Sequence, residues 1–131
     1  MTQSKITPGT ALITGAGRRI GRALALDLSS AGWTIAIHYR NSAADAESLA
    51  GEIAAHGGAA RAFRADLADP LAPSALFAEV IRELEPPSVL INNASEFLPD
   101  TIQSLDDSTW DLHQSINLKA PVFLAQAMAA S

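Results

Sequence analysis

The 131-residue chain has no cysteine. Disulfides, thiolate metal sites and cysteine nucleophiles are therefore excluded, and the composition fits an intracellular protein. Positive charge is scarce too: 9 Lys and Arg stand against 14 Asp and Glu, a net charge of −5. A phosphate backbone needs a basic patch, so nucleic acid is not an expected partner. No apolar run approaches the roughly 18 residues that span a bilayer, so no membrane partner is expected. The start, Met1 to Gly9, is polar and lacks the apolar stretch of a signal peptide. These absences make the cytoplasm the expected compartment. His38, His56 and His113 are scattered without HExxH-type spacing, so no metal site is expected. Tyrosine occurs once, at Tyr39, with no lysine four residues later.

What remains is apolar enough to fold. Hydrophobic residues make up 48% of the chain and charged residues 18%, the balance of a globular domain rather than a disordered tail. Short apolar runs alternate with helix-like segments. Thr10–Thr14 reads as a buried strand. Arg19–Ala31 follows as a helix with Ile20, Leu24, Leu28 and Ala31 on one face. Trp33–Tyr39 is a second strand. Ser42 is a suitable N-cap for an Ala-rich helix over Ala43–His56, with Leu49 and Ile53 inward. Ala59–Ala65 is a third strand. Asp69-Pro70 should cap and open the next helix, whose stripe is Leu76, Phe77, Val80, Ile81 and Leu84. Pro86-Pro87 ends it, and Ser88–Asn92 is a fourth strand. A last, long helix should start at Asp106 or Asp107 and run towards Ala130.

This alternation predicts an α/β fold with a parallel sheet covered by helices. Right-handed crossovers and a doubly wound, Rossmann-type topology give the strand order 3-2-1-4. The fourth strand would lie on an open edge. The expectation is therefore the N-terminal half of such a sheet, incomplete on its C-terminal side, with residues 1–131 forming one part of a single domain.

The candidate site residues cluster where strands end. Thr14-Gly15-Ala16-Gly17-Arg18-Arg19-Ile20-Gly21 lies between the first strand and the first helix. Such a turn needs residues tolerant of positive φ. It also points free N–H groups and the positive end of a helix dipole at an anion such as a pyrophosphate. A purely structural turn is the alternative. Arg18 and Arg19 weigh against it, because two cations at a helix N-terminus oppose the dipole.

About 20 residues after such a turn, an acid selects NAD and a basic residue accommodates the NADP 2′-phosphate. The segment here is His38-Tyr39-Arg40-Asn41-Ser42, with no acid. Arg40 offers a planar fork for phosphate and Ser42 a hydroxyl, which favours NADP(H) over the alternative of a solvated Arg. Asp66 either accepts from an adenine amino group or caps a turn. Asn93, in Asn92-Asn93-Ala94-Ser95, could tie the sheet edge to the cofactor turn. Phe97 either stacks on a flat heterocycle or tucks against the core. Asn117 sits mid-helix, where Asn is unfavourable. A hydrogen-bonding or water-holding task is one reading, a solvent-facing side chain the other.

Taken together, TGAGRRIG, Ala65-Asp66-Leu67, Asn92 to Ser95 and Asn117 resemble the short-chain dehydrogenase/reductase family, in order and across the whole chain. The turn departs from the usual TGxxxGxG at Arg19, where the middle Gly is expected. That basic pair is similar to the turn of pteridine reductases and dihydromonapterin reductases. So are the HYRNSAADAE segment, with Arg40 one position earlier, and Ser95-Glu96-Phe97.

The resemblance implies an NADPH-dependent reductase acting on a small molecule, a pterin or a related carbonyl or imine. Gly15, Arg18, Arg19, Ile20, Gly21, His38 to Ser42, Asp66, Leu67, Asn93, Ala94 and Ser95 would hold NADP(H). Ser95 and Phe97 would contact the pterin, with Phe97 stacked on it, and Asn117 would support catalysis. The family's catalytic Tyr-xxx-Lys is absent from these residues. It is expected beyond them, in a full-length form that assembles as a homo-oligomer, a tetramer or dimer. The alternative is a non-catalytic nucleotide-binding or assembly module completed by another polypeptide. The Asn92–Ser95 motif and the short loops speak for the compact reductase type over an epimerase of the extended family.

Overall fold

β-strand residues alternate between two faces, and the central strands here are apolar on both. They must therefore be covered on both sides. A computed structural model, which describes residues 5–131, shows how. Met1–Ser4, part of the polar start read as lacking a signal peptide, lie outside the described residues. The elements run β1 (Thr10–Ile13), α1 (Arg19–Ser30), β2 (Thr34–Tyr39), α2 (Ala43–Ala55), β3 (Ala60–Arg64), α3 (Ala72–Glu83), β4 (Pro87–Ile91), α4 (Asp107–Gln114), a π-helical turn (Ser115–Lys119) and α5 (Ala120–Ala129). All strand pairs are parallel, in the order β3-β2-β1-β4. This is the expected Rossmann-type α/β arrangement.

Register follows the alternation. Leu12 lies opposite Ala36 and Leu90, and Ile13 opposite Ile37 and Ile91. On one face Ala11, Ile13, Ile35 and Ile37 pack with Ala25 of α1 and Ala46, Leu49 and Ile53 of α2. On the other, Leu12, Ala36 and Phe63 pack with Leu76, Phe77 and Val80 of α3 and Ala120 and Leu124 of α5. Each fully buried Leu, Ile or Phe contributes about 1.5–3 kcal/mol of transfer free energy, so both helical layers are held by burial rather than by helix propensity. Among the described residues, no helix is long and apolar enough to cross a membrane.

Several local expectations need correction. Ile20, predicted inward on α1, is 70% exposed, and Ala31 is also exposed; Gly21 and Ala25 take the innermost places instead. Gly21 packs tightly on the turn, and Ile20 beside it faces a cleft instead of the core. Ile81, expected in the α3 stripe, is 42% exposed. Asp69-Pro70 precedes α3 without capping it: Asp69 folds a turn of its own, its Oδ1 accepting from the Leu71 N–H at 2.9 Å, and the helix begins at Ala72. α3 stops just ahead of Pro86-Pro87, but Pro87 also opens β4, one residue before the expected Ser88, a place where its missing N–H costs nothing. Ser42 occupies the α2 N-cap, but its hydroxyl makes no capping hydrogen bond.

The last helix differs as well: it is not continuous. Asp106 caps α4 as expected, accepting from the Thr109 N–H at 2.8 Å. The backbone then widens into the π turn over Ser115–Lys119 before α5. Pro121 accounts for it: proline has no N–H to give the Asn117 carbonyl, and its ring crowds the preceding turn. Asn117 thus sits at an irregularity rather than in a regular helix.

Candidate functional site

The carboxyl ends of the four strands converge on one cavity of about 560 Å³. Its floor is the glycine turn. Gly15 has φ +62°, and a Cβ there would meet the Ala94 Cα at 3.0 Å. Gly21 is tighter still: a Cβ would come within 2.6 Å of both the Gly15 carbonyl and the Asn93 amide. These two positions admit only glycine, for conformation at the first and contact at the second. Arg19 has φ +53° and is the one non-glycine residue with positive φ among those described. The side chain thus stands where a glycine would be at ease, at a cost of about 1–2 kcal/mol.

Thr14 and Asn93 fasten the turn to β4. The Thr14 hydroxyl accepts from the backbone N–H groups of Asn93 (3.0 Å) and Ala94 (2.9 Å) and donates to the Ile91 carbonyl (3.4 Å). The Asn93 amide donates to the carbonyls of Thr14 (3.0 Å) and Gly15 (3.2 Å). Asn93 therefore ties the β4 edge to the turn. The part played by Thr14 is not apparent from its place in the motif alone.

His38, 3% exposed, holds the turn from the other side. Its Nδ1 accepts from the Gly15 N–H at 3.0 Å, and its Nε2 lies 2.9 Å from the Ala65 carbonyl, to which it must donate. Both ring nitrogens are spent on backbone, and the neutral tautomer is fixed. Burial pulls the His38 pKa below the ordinary histidine value, against the opposing pull of the Ala65 hydrogen bond and the Asp66 charge. His38 lines the cavity as a strut rather than as an available ligand.

Charge gathers at the rim. Arg18, Arg19 and Arg40 all line the cavity, as do Ile20, Leu67, Ala94 and Ser95. Arg18 is paired with Asp45 of α2, which answers part of the dipole conflict read from the sequence. Arg19 has no carboxylate partner among the described residues. Arg40, beyond β2, faces two carboxylates, Asp66 at 3.5 Å and Glu96 at 3.4 Å. The Arg64 side chain donates to the Arg40 carbonyl at 3.1 Å. Asp66 also folds a turn, accepting from the Ala68 N–H at 3.1 Å. Gly21, Tyr39, Asn41, Ser42, Asp66 and Phe97 lie outside the cavity lining.

Asn117 is exposed, yet its side chain is fully engaged. Its Oδ1 accepts from the Glu96 N–H and its Nδ2 donates to the Glu96 carbonyl, both at 2.8 Å. It thereby pins the loop after β4 to the π turn. Phe97 neither tucks into the core nor lines the cavity. It is 75% exposed and lies parallel to the His113 ring, with centroids 6.1 Å apart. His113 Nε2 accepts from the Leu98 N–H at 2.8 Å, steadying the same loop. Glu96 and His113 were not singled out from the sequence, because their partners lie 56 and 15 residues away. Among the described residues no group of His, Asp and Glu could hold a metal ion.

A glycine turn at the start of α1, fastened to an Asn-bearing β4 end, defines an α/β scaffold of the dinucleotide-binding type. Residues 9–131 match the short chain dehydrogenase family, and the chain belongs to it. It is 36% identical over 110 residues to the 3-oxoacyl-[acyl-carrier-protein] reductase FabG of Staphylococcus aureus, covering 84% of this chain and 45% of that protein. Similar solved structures include FolM alternative dihydrofolate reductase 1 from Brucella canis complexed with NADP. It has 38% identity and a TM-score of 0.88, covering 93% of this chain and 49% of that one. A blue fluorescent protein from a metagenomic library, in complex with NADPH, superposes with a TM-score of 0.89 at 34% identity, covering 94% of this chain and 51% of that one. The chain spans about half the length of the relatives it matches.

Proposed function

We propose that residues 1–131 are the N-terminal part of a single NADP-binding Rossmann domain, in a short-chain reductase that uses NADPH to reduce a pterin or a related carbonyl or imine. One observation carries the reading: the left-handed Gly15 turn at the head of α1 and the Arg40 guanidinium beyond β2 open onto one cavity, with no acid in the segment that ends β2. The donor set suits an anionic dinucleotide. The first N–H groups of α1 and Arg19 would hold the pyrophosphate, and Arg40 the 2′-phosphate. Gly21, Asn93 and His38 hold the turn in shape, while Tyr39, Asn41 and Ser42 flank Arg40. Ile20, Leu67, Ala94 and Ser95 supply walls, and Asp66 would accept from the adenine amino group.

Bound NADPH would supply the hydride. The protein's part is to orient it. Asn117 supports the site by fixing the loop at Glu96, and Ser95 and Phe97 offer a hydroxyl and an aromatic face to a flat heterocycle. The proton donor, a Tyr with a Lys four residues on, is placed outside residues 1–131, consistent with a chain spanning half of its relatives. The intact protein is read as a cytoplasmic homo-oligomer with a small-molecule substrate.

The test is nucleotide binding to the intact protein, followed by fluorescence. Arg40→Ala should weaken NADPH about tenfold or more while leaving NADH within twofold, because a charge-assisted bond to phosphate contributes about 1.5–3 kcal/mol. Equal losses for both nucleotides would remove the NADP assignment.

A further inference from the structure

We propose that Glu96 is a specificity-determining residue that competes with the cofactor's 2′-phosphate for Arg40. This rests on the nucleotide-binding reading above and extends it to a residue that neither the turn nor the strand ends would have suggested. Arg40 reaches across the cavity mouth from the end of β2, and Glu96 meets it from the loop after β4, 3.4 Å away. Glu96 itself lines the cavity. The backbone behind that carboxylate is fixed on both sides by Asn117 at 2.8 Å. The Cα that carries the carboxylate is thus held within side-chain reach of Arg40.

The two carboxylates on Arg40 are not equivalent. Asp66 Oδ1 is committed to the Ala68 N–H at 3.1 Å. The Glu96 carboxylate has no partner but Arg40 among the described residues. Side-chain exposures of 42% for Arg40 and 31% for Glu96, with separations beyond a tight hydrogen bond, make the pair exchangeable. A phosphate carries up to two negative charges and a geometry that suits the guanidinium fork. It would displace Glu96 but then sit beside the carboxylate that Asn117 keeps nearby. Glu96 therefore costs the protein affinity for the 2′-phosphate, and only for the 2′-phosphate, since a ligand lacking it leaves the Arg40 pair intact.

Calorimetric titration of the intact protein with adenosine 2′,5′-bisphosphate and with adenosine 5′-monophosphate separates the possibilities. Glu96→Gln keeps the side-chain shape and removes the charge. It should tighten the bisphosphate about three- to tenfold and leave the monophosphate within twofold. Glu96→Ala should do the same. Glu85→Gln, an exposed change elsewhere, controls for net charge and should alter neither. If both Glu96 variants bind the bisphosphate as the unaltered protein does, or tighten both ligands equally, the inference is wrong and the nucleotide-binding reading stands. If the unaltered protein shows no preference for the bisphosphate, the NADP reading fails and takes this inference with it.

Discussion

The imidazole of His38 accepts a hydrogen bond from the backbone N–H of Gly15, 23 residues earlier, at 3.0 Å. A buried side chain of β2 thereby sets the conformation of the turn that follows β1. The neutral ring is required, because Nδ1 must accept while Nε2 donates to Ala65. Burial lowers the folded-state pKa, so as pH falls below about 6.5 the unfolded chain takes up the proton first. The His38 contribution is complete above that pH and is lost as pH drops through the depressed folded value. Denaturant unfolding between pH 7.5 and 5 should show stability falling on the acid side. His38→Asn should cost about 1–3 kcal/mol at neutral pH and flatten that acid slope. An unchanged slope in the variant would assign the pH dependence elsewhere.

Arg19 separates stability from binding. Its φ of +53° is strained for any residue with a Cβ. Arg19→Gly should leave stability unchanged or raise it by up to about 1 kcal/mol. The same change removes a cation from the cavity and should weaken NADPH several-fold. Thermal unfolding and nucleotide titration of one variant give both numbers. A variant that lost stability and kept its affinity would show that Arg19 has a packing role instead.

Phe97 tests the substrate class. It lies exposed beside the cleft with its ring parallel to His113, and an aromatic stack contributes about 0.5–1.5 kcal/mol. In the intact protein Phe97→Ala should raise KM for a reducible pterin roughly three- to tenfold with little change in kcat. Turnover of a 3-oxoacyl thioester, if present, should not respond in the same way. Unaltered pterin kinetics would remove the pterin assignment while leaving the short-chain reductase reading intact.

The sheet was legible because each central strand is a short apolar run bounded by turn residues, and the order 3-2-1-4 then follows from handedness. The glycine turn was legible for the same reason, since its residues act on neighbours a few positions away. Ile20 misled because helical periodicity marks which residues share a face, not whether a core or a cleft lies opposite. The π turn was hidden behind a continuous apolar pattern, although Pro121 was its visible cause. The engagement of Arg40 by Glu96, and of Asn117 by the Glu96 backbone, depends on where distant loops meet. Composition and spacing carry no record of that.

The bonds from Thr14 to Asn93 and Ala94 join positions 79 and 80 residues apart. A nascent chain can therefore pair β1 with β2 early and bring His38 to the Gly15 N–H, yet the Thr14 and Asn93 side of its glycine turn has no fastening until β4 emerges and docks beside β1. Closing so long a loop is slow compared with forming the local β–α–β units. Competence to hold a nucleotide should thus be a late event in synthesis, arriving in one step when the fourth strand seats rather than growing with chain length.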